Sequence, residues 1–253
     1  MPRFAANLSM MFTERPFLER FEAAAAAGFD AVEFLFPYEF TAAEVCDALE
    51  CNGLTMTLFN APPGDWDAGE RGLASLPGRE QEFRDLIAQA LDCAAVLKPS
   101  RLHIMAGIAE GPEARATYID NLGHAAAAAG ELRLCIEPIN SRDMPEFHLN
   151  NSTDALTVLD AVGAASLDLQ FDLYHAQIME GDLTRRLERL MPRIAHIQIA
   201  GVPDRREPDT GEVNFPHLFE VLDRFGYDGF VGCEYHPAGR TEDGLGWFRK
   251  ASA

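Results

Sequence analysis

The sequence predicts an α/β protein that folds as a single (β/α)8 barrel, the TIM-barrel architecture. Short apolar runs alternate eight times with longer helix-like stretches along the 253 residues, without a linker or a change of composition between them. A chain of this length is typical of one such barrel. No GxGxxG turn follows the first apolar run, which disfavours a dinucleotide-binding, doubly wound sheet. We therefore expect one domain over residues 1–253, with a long loop at about 61–80.

Each predicted strand is a short apolar run, and the segments between the strands contain signals for helix starts and ends. In chain order the strands cover residues 4–7, 31–34, 54–60, 101–105, 132–137, 167–172, 194–198 and 230–234. Pro16 suits a first helical turn and Gly28 a helix end. Ser152 or Asp154 can cap a helix that stops at Gly163. These alternating elements predict a parallel sheet with crossover helices.

Several predicted strands have one apolar face and one polar face, because successive side chains of a strand point to opposite sides. In "LDLQFD" the polar face holds Asp168, Gln170 and Asp172. A barrel explains this pattern if the apolar face meets the helices and the polar face lines the interior. We expect the mid-strand Asp168 and Gln170 to pair inside the barrel without a chemical role, and His196 to be a satisfied core histidine.

The overall charge and the cysteines narrow the class of protein. A formal net charge of −19 argues against nucleic-acid or anionic-membrane partners, which select clustered Lys and Arg. An anionic substrate would therefore need local cations or a metal. The five cysteines form no CxxC pair and are expected to be reduced. The N-terminal residues lack a signal-like apolar region, so we expect a cytoplasmic protein.

The ends of the last four predicted strands carry oxygen donors. These residues are Glu137, Asp172, Gln198 and Glu234. They lie on consecutive strands, and active sites of such barrels form at the C-terminal strand ends, so we expect the four side chains to meet. Three adjacent carboxylates would repel one another, and a divalent cation would remove that penalty. Oxygen ligands favour Mg²⁺ or Mn²⁺ over zinc. The alternative is that each carboxylate forms a separate salt bridge with a loop arginine.

Several motifs together resemble the hydroxypyruvate isomerase family, within the xylose-isomerase-like barrel superfamily. They are "NLSMMF", "VEFLFPYEF", "PPGDWDAGERGLASLPGREQEFR", "IEPIN", "FDLYH", "HIQIA" and "GCEYHP", and they run from residue 3 to about residue 248. The resemblance implies that Glu137 and Glu234 are the catalytic pair. It also implies a metal site formed by Glu137, Asp172, Gln198 and Glu234, although many relatives have His where this chain has Gln198. His175 falls where related epimerases hold a substrate oxygen.

The reaction that the resemblance implies interconverts hydroxypyruvate and 2-hydroxy-3-oxopropanoate (tartronate semialdehyde) through a shared enediolate. One carboxylate removes a proton from carbon, a second group returns a proton to the neighbouring carbon, and a cation stabilises the developing negative charge. We expect Glu137 and Glu234 to exchange the roles of base and acid with the direction of reaction. Whether the metal is essential stays open at this stage.

Several residues outside the strand ends have two alternative assignments. The substrate carboxylate needs a counter-charge, for which Arg205 or Arg206 is favoured, with a solvated surface position as the alternative. Glu207 and Glu212 either close over the site or lie in solvent. His175 either contacts substrate, which we favour, or caps the following helix.

Glu33 and the loop at 61–80, both at the barrel rim, each have two alternative roles. Glu33 points toward the mouth of the barrel and is assigned to substrate or to an arginine. The loop at 61–80 contains Trp66, Arg71 and Arg79, and it either covers the active site or forms a rim or subunit contact, so a homo-oligomer is compatible with the sequence.

Three other functions compete with the main interpretation. A 2-oxo-tetronate isomerase or a sugar epimerase would use the same scaffold with a different pocket depth. A metal-dependent endonuclease acting on abasic sites would need several His ligands for zinc and a basic DNA-binding face. A non-catalytic acid- or sugar-binding barrel would not need two carboxylates beside a metal. The partner that the family resemblance implies is a small anionic hydroxy-oxo acid.

Overall fold

The computed structural model describes residues 2–251 and contains a closed barrel of eight parallel strands, which confirms the predicted fold class. Each strand pairs with its neighbours in sequence, and β8 closes the barrel against β1. The strands are β1 Arg3–Asn7, β2 Ala31–Phe34, β3 Thr55–Asn60, β4 Arg101–His103, β5 Arg133–Ile136, β6 Leu167–Asp172, β7 Ile194–Ile199 and β8 Phe230–Cys233.

Helices occupy the connections between strands and surround the barrel. They are α1 Glu19–Ala26, α2 Ala42–Cys51, α3 Glu80–Leu97, α4 Gly111–Ala129, α5 Ser152–Val162, α6 Leu173–Met179, α7 Leu183–Leu190, α8 Phe215–Arg224, α9 Thr241–Gly244 and α10 Gly246–Ala251. Among the described residues, no helix is long and apolar enough to cross a membrane.

Local sequence explains where several helices begin and end. Thr41 and Glu44 form a capping box at the start of α2. The Asn151 side chain accepts a hydrogen bond from the Asp154 N–H and so caps α5, which ends at Gly163 in the left-handed conformation that glycine favours. Thus Asn151, and neither Ser152 nor Asp154, is the capping residue of α5.

The predicted strands agree with the structure to within two residues at each end. The largest difference is at β4, which was expected to continue to residue 105 but ends at His103. Ile104 N–H still donates to the Cys135 carbonyl of β5, but two residues later the Ala106 carbonyl accepts from Ser75 N–H in the segment 61–80. Gly72 also approaches the Met105 carbonyl so closely that an added Cβ would lie 2.3 Å from its oxygen. The segment 61–80 is therefore fixed to the barrel rim at these points.

The barrel interior contains polar side chains that strand alternation predicts. Asp168 forms ion pairs with Arg133 and Arg193 at the N-terminal end of the barrel. Gln170 donates to the Gln198 side-chain oxygen at 2.7 Å, one layer closer to the mouth. Both residues are thus paired with other polar groups, as expected for polar side chains in mid-strand.

Candidate active site

Four oxygen-bearing side chains lie at the C-terminal ends of β5 to β8. Asp172 is the last residue of β6, Gln198 is the penultimate residue of β7, and Glu137 and Glu234 directly follow β5 and β8. All four are buried, with exposed fractions of 1 to 7%. Pro138 lacks the N–H needed to continue a strand ladder, so it suits the end of β5 directly after Glu137. Burial of three carboxylates at one end of the barrel requires electrostatic compensation.

Two of the carboxylates and an imidazole form the tightest group. Candidate ligand atoms of Glu137, Asp172 and His175 all lie within 4.8 Å of one another. His175 Nε2 lies 3.6 Å from Asp172 Oδ2 and 3.8 Å from Glu137 Oε1. This group is formed by the residue after β5, the last residue of β6 and the first turn of α6. The Asp172 Oδ1 atom accepts from the Tyr174 N–H at 2.8 Å, which caps α6 and leaves Oδ2 directed at the group.

Burial and mutual repulsion raise the pKa values of these carboxylates. Burial, together with Glu234 and Asp172, raises the pKa of Glu137 well above its usual range. Burial raises the pKa of Glu234 to about 8 and that of Asp172 to about 6, even though Arg205 opposes both shifts. Groups with such raised pKa values at a barrel mouth are typical of proton-transfer sites.

The unpartnered atoms of this group fit a divalent cation. Within residues 2–251, Glu137 Oε1 and Asp172 Oδ2 are buried and have no hydrogen-bond partner. Buried carboxylate oxygens without donors are costly, whereas a cation would neutralise their charge and coordinate both atoms. Carboxylate oxygens such as these two are the donor type that Mg²⁺ and Mn²⁺ bind.

Hydrogen bonding defines the tautomer of His175. Asn140 Oδ1 accepts from the N–H groups of Arg142 and Asp143, so Asn140 Nδ2 is the atom that lies 2.7 Å from His175 Nδ1. Because Nδ2 can only donate, His175 Nδ1 accepts and Nε2 carries the proton. Burial lowers the pKa of His175 well below its usual value, and Arg205 lowers it further. The neutral ring therefore directs an N–H into the acidic group, which suits a bound oxygen better than direct coordination of a cation.

Arg205 is the arginine that the fold places in the site. Its Nη2 atom lies 3.0 Å from Glu234 Oε2 and 3.7 Å from Asp172 Oδ2. The same nitrogen lies 3.4 Å from His175 Nε2. Since both of these nitrogens carry hydrogen, they form a pair of donors that face the same space. An anionic oxygen between them would satisfy both.

Other predicted site residues lie elsewhere. Arg206 is exposed and donates to the carbonyls of His236 and Pro237. Glu207 is buried, and its Oε1 accepts from the Ala238 N–H at 3.0 Å, so it connects the loop after β7 to the loop after β8. Glu212 is exposed and accepts from Gln177.

The arginines of the segment 61–80 are bound within that part of the rim. Arg79 pairs with Glu70 and Glu82. The Arg71 guanidinium stacks 3.8 Å from the centre of the Trp66 ring. Trp66 itself is 37% exposed and lies 5.3 Å from the ring of Phe36. Arg71 and Arg79 are thus engaged within the rim, whereas Arg205 lies beside Glu234 and Asp172 in the candidate site.

Sequence reasoning missed one polar residue of the site. His103, the last residue of β4, is buried, and its Nε2 lies 3.8 Å from Glu137 Oε2. Its Nδ1 lies 3.2 Å from Asn60 Oδ1, which can only accept, so Nε2 carries a lone pair. That Nε2 has no hydrogen-bond partner in the described part of the chain. Burial lowers the pKa of His103 to about 3, so the ring stays neutral. The available signal was strand alternation, which places His103 on the face opposite the apolar Leu102 and Ile104.

Glu33 differs from the sequence expectation. It is fully buried, and its carboxylate contacts Asn7, His196 and Gln198 instead of an arginine or an open substrate-binding space. His196 is the predicted core histidine, with Nε2 bound to Glu33 at 2.6 Å.

The fold is that of a TIM-barrel enzyme, and the candidate active site lies among acidic side chains at the C-terminal strand ends, where barrels of this type carry their active sites. A family model described as a xylose isomerase-like TIM barrel matches residues 21–251. The chain belongs to the xylose isomerase-like TIM barrel family, and within it to the isomerases that its curated relatives represent. The resemblance seen in the sequence motifs is thereby confirmed.

Two curated relatives and one solved structure extend over almost the whole chain. The 2-oxo-tetronate isomerase of Cupriavidus necator is 58% identical, and the hydroxypyruvate isomerase of Escherichia coli is 46% identical, with 98% of each chain covered in both cases. A crystal structure from Brucella melitensis, described as an AP endonuclease of family 2, is 52% identical and superimposes with a TM-score of 0.97 over 99% of each chain.

Proposed function

We propose that this isomerase interconverts hydroxypyruvate and 2-hydroxy-3-oxopropanoate by proton transfer between adjacent carbons. The observation that carries the proposal is the group of buried carboxylates with raised pKa values beside a pair of inward-facing N–H donors. Proton transfer needs carboxylates that can hold a proton near neutral pH. The donor pair supplies the binding site that a small anionic acid needs in a chain of net charge −19.

The polarity of the site gives the substrate an orientation. The donors of Arg205 and His175 would bind the carboxylate and the adjacent carbonyl oxygen. On the other side of Glu137, His103 Nε2 and Glu137 Oε2 are both acceptors, 3.8 Å apart, and they would accept from the substrate hydroxyl. Glu207 contributes indirectly. Its carboxylate accepts a hydrogen bond from the Ala238 N–H, and this bond holds the loop that carries Arg205.

A divalent cation, Mg²⁺ or Mn²⁺, would be held by four residues of this chain. These are Glu137, Asp172, Gln198 and Glu234. When bound, the cation would stabilise the negative charge that develops on the C2 and C3 oxygens of the substrate. Glu234 would leave its ion pair with Arg205 to join the other ligands, and Arg205 would then be free to bind the substrate carboxylate.

Glu137 and Glu234 act as the two proton carriers. In the direction from hydroxypyruvate, one carboxylate removes a proton from C3 and leaves an enediolate across C2 and C3. The other carboxylic acid delivers a proton to C2, while a proton moves from the C3 oxygen to the C2 oxygen. The product has the same atoms and charge as the substrate. The residues exchange roles in the reverse direction.

A 2-oxo-tetronate is the second candidate substrate, and the 58% identity to a 2-oxo-tetronate isomerase favours it. Both reactions convert a 2-oxo-3-hydroxy acid to a 2-hydroxy-3-oxo acid, so the same residues serve each. The tetronate carries one more carbon with a hydroxyl at the end remote from the carboxylate. Cleavage of DNA is disfavoured, because the net charge of −19 opposes a polyanionic partner.

The experiment is an isomerase assay in D2O with Mn²⁺, followed by proton NMR. Wild-type protein should convert hydroxypyruvate and introduce deuterium at C3 on return. The substitutions Glu137→Gln and Glu234→Gln should each lower the rate by about 10²–10⁴-fold while leaving thermal unfolding intact. Glu220→Gln, an exposed carboxylate on α8, is the matched control and should keep the wild-type rate. Near-wild-type rates in both site variants would refute the proposed roles.

A further inference from the structure

A buried network beneath the proposed metal site converges on Glu33. Its Oε1 accepts from Asn7 Nδ2 at 3.1 Å and from Gln198 Nε2 at 2.7 Å, and its Oε2 lies 2.6 Å from His196 Nε2. Glu33 lies on β2 and Gln198 on β7, so these bonds cross the barrel interior. Asn7 Nδ2 also lies 3.3 Å from Glu234 Oε1, which extends the network to a proposed proton carrier.

The direction of every hydrogen bond in this network follows from Glu33. A carboxylate accepts only, so Gln198 must present its amide nitrogen to Glu33. The Gln198 oxygen then faces β6, where it accepts from Gln170 Nε2 at 2.7 Å. Asn7 is oriented in the same sense, since its Oδ1 accepts from the Ser9 N–H at 3.1 Å.

An amide has two ends of nearly equal size, and only the oxygen end can coordinate a cation. Where relatives have a histidine ligand, the ring presents a nitrogen lone pair, but Gln198 can rotate to present either N–H or oxygen. We propose that Glu33 is a positioning residue that fixes Gln198 with its oxygen on the ligand side and, through Asn7, holds Glu234. This inference rests on the metal site of the proposed function. It assigns a role to a buried charge that the proton-transfer chemistry does not use.

An electrostatic role for Glu33 predicts different behaviour from a positioning role. If the negative charge itself attracted the cation, any neutral residue at position 33 would weaken binding. Under the positioning role, Glu33→Gln retains the orientation. Asn7 still directs N–H at the Oε1 position, so the new amide oxygen must lie there. The new amide nitrogen then faces His196, whose Nδ1 has no partner in residues 2–251 and can take the ring proton.

A second substitution moves the carboxylate without removing it. Gly232 on β8 lies against Glu33, and a Cβ added there would be 2.3 Å from Glu33 Oε2 and 2.4 Å from Oε1. Gly232→Ala therefore displaces the carboxylate from its donors. Glu33→Leu removes the acceptor altogether and leaves Gln198 free to rotate.

The test is isothermal titration calorimetry of purified full-length protein with Mn²⁺ alone at pH 8, with thermal unfolding as the check on folding. Glu33→Leu and Gly232→Ala should each weaken Mn²⁺ binding by about 10–100-fold. Glu33→Gln should bind within about threefold of wild type, since it conserves the orientation of Gln198. Near-wild-type Mn²⁺ binding by Glu33→Gln would show that Glu33 acts by positioning Gln198, because this variant lacks the negative charge but keeps the hydrogen-bond acceptor.

The possible outcomes of the Mn²⁺ titration separate the role of Glu33 from the existence of the metal site. Equal weakening in Glu33→Gln and Glu33→Leu would overturn positioning in favour of a charge effect. Unchanged affinity in folded Gly232→Ala would overturn it as well, and this arm holds if the leucine variant fails to fold. If wild-type protein binds no Mn²⁺, the metal site of the proposed function fails. Binding by wild type with no effect in the variants refutes only the role of Glu33.

Discussion

Protons should compete strongly with the cation for this site, and the size of the effect follows from the raised pKa values. Glu234 titrates at about 8 and Asp172 at about 6 without a metal. A cation that uses both carboxylates must displace any proton on them. Below the pKa of a ligand, each pH unit costs about 1.4 kcal/mol of binding free energy, which is tenfold in affinity.

The predicted profile therefore has two slopes. Between pH 8 and pH 6 Glu234 takes up a proton, and Glu137, whose pKa is also raised, adds to the competition, so the Mn²⁺ affinity should fall by at least about 100-fold over that range. Below pH 6 Asp172 is protonated too, so the affinity should fall by at least about 100-fold per pH unit. The sign is fixed, because protonation of a carboxylate removes its charge. Affinity must rise with pH.

Calorimetric titration with Mn²⁺ at pH 6, 7 and 8 measures this profile directly. Glu234→Gln is the matched variant, since it removes the group that titrates at about 8. It should bind Mn²⁺ more weakly at pH 8 and should have a flatter profile between pH 6 and 8. A wild-type affinity that does not change between pH 6 and 8 would refute the reasoning, because Glu234 would then not be a ligand.

Three further predictions concern neighbouring residues and stability. Arg205→Met should raise KM for hydroxypyruvate by about 10–100-fold, because the substrate loses charge-assisted hydrogen bonds worth about 1.5–3 kcal/mol. Steady-state kinetics that show an unchanged KM would contradict this role of Arg205. His103→Phe removes the lone pair toward the substrate hydroxyl, so kcat/KM should fall by about tenfold with Mn²⁺ affinity unchanged; a fall in Mn²⁺ affinity instead would assign His103 to the cation. Without metal, the stability of wild type relative to Glu234→Gln should decrease as pH rises from about 4.5 to 8, because the raised pKa of Glu234 makes the folded wild type hold a proton that its unfolded state releases. Chemical denaturation of both proteins in EDTA should show a relative loss of about 3 kcal/mol between pH 4.5 and 7, and a constant or rising difference would contradict it.

The sequence predicts where the candidate site lies because strand alternation and strand ends are local features. Glu137, Asp172, Gln198 and Glu234 each follow from the end of one apolar run, and the barrel places all four at its C-terminal end. Which of these residues are neighbours in the barrel depends only on which strands are adjacent. In this barrel the adjacent strands are consecutive in the chain, so the order of the elements supplies that information.

Partners across the barrel interior are not predictable in this way. Glu33 and His196 are 163 residues apart and come from β2 and β7, which are not adjacent strands. Periodicity indicates that both side chains point inward, but many inward-facing groups could pair with either of them. The role of Glu33 as an internal acceptor depends on barrel closure and side-chain length.

Loop orientation is the other limit of sequence reasoning. Arg205 and Arg206 are adjacent, and composition does not distinguish them. In the structure Arg205 has a φ of 53°, a left-handed conformation that is unusual for a residue other than glycine. This backbone turn places Arg205 against Glu234 while Arg206 lies on the surface. Such strain at a single residue is set by tertiary contacts and clusters at functional sites.

The most direct test of the account is a crystal structure of the protein soaked in Mn²⁺ at pH 8, with the ion located by its anomalous scattering. The account predicts one strong peak coordinated by Glu137, Asp172, Gln198 and Glu234, with Arg205 released from Glu234. A peak bound to Glu137, Asp172 and His175 while Glu234 still pairs with Arg205 would contradict it. The absence of any peak at this end of the barrel at saturating Mn²⁺ would contradict it too.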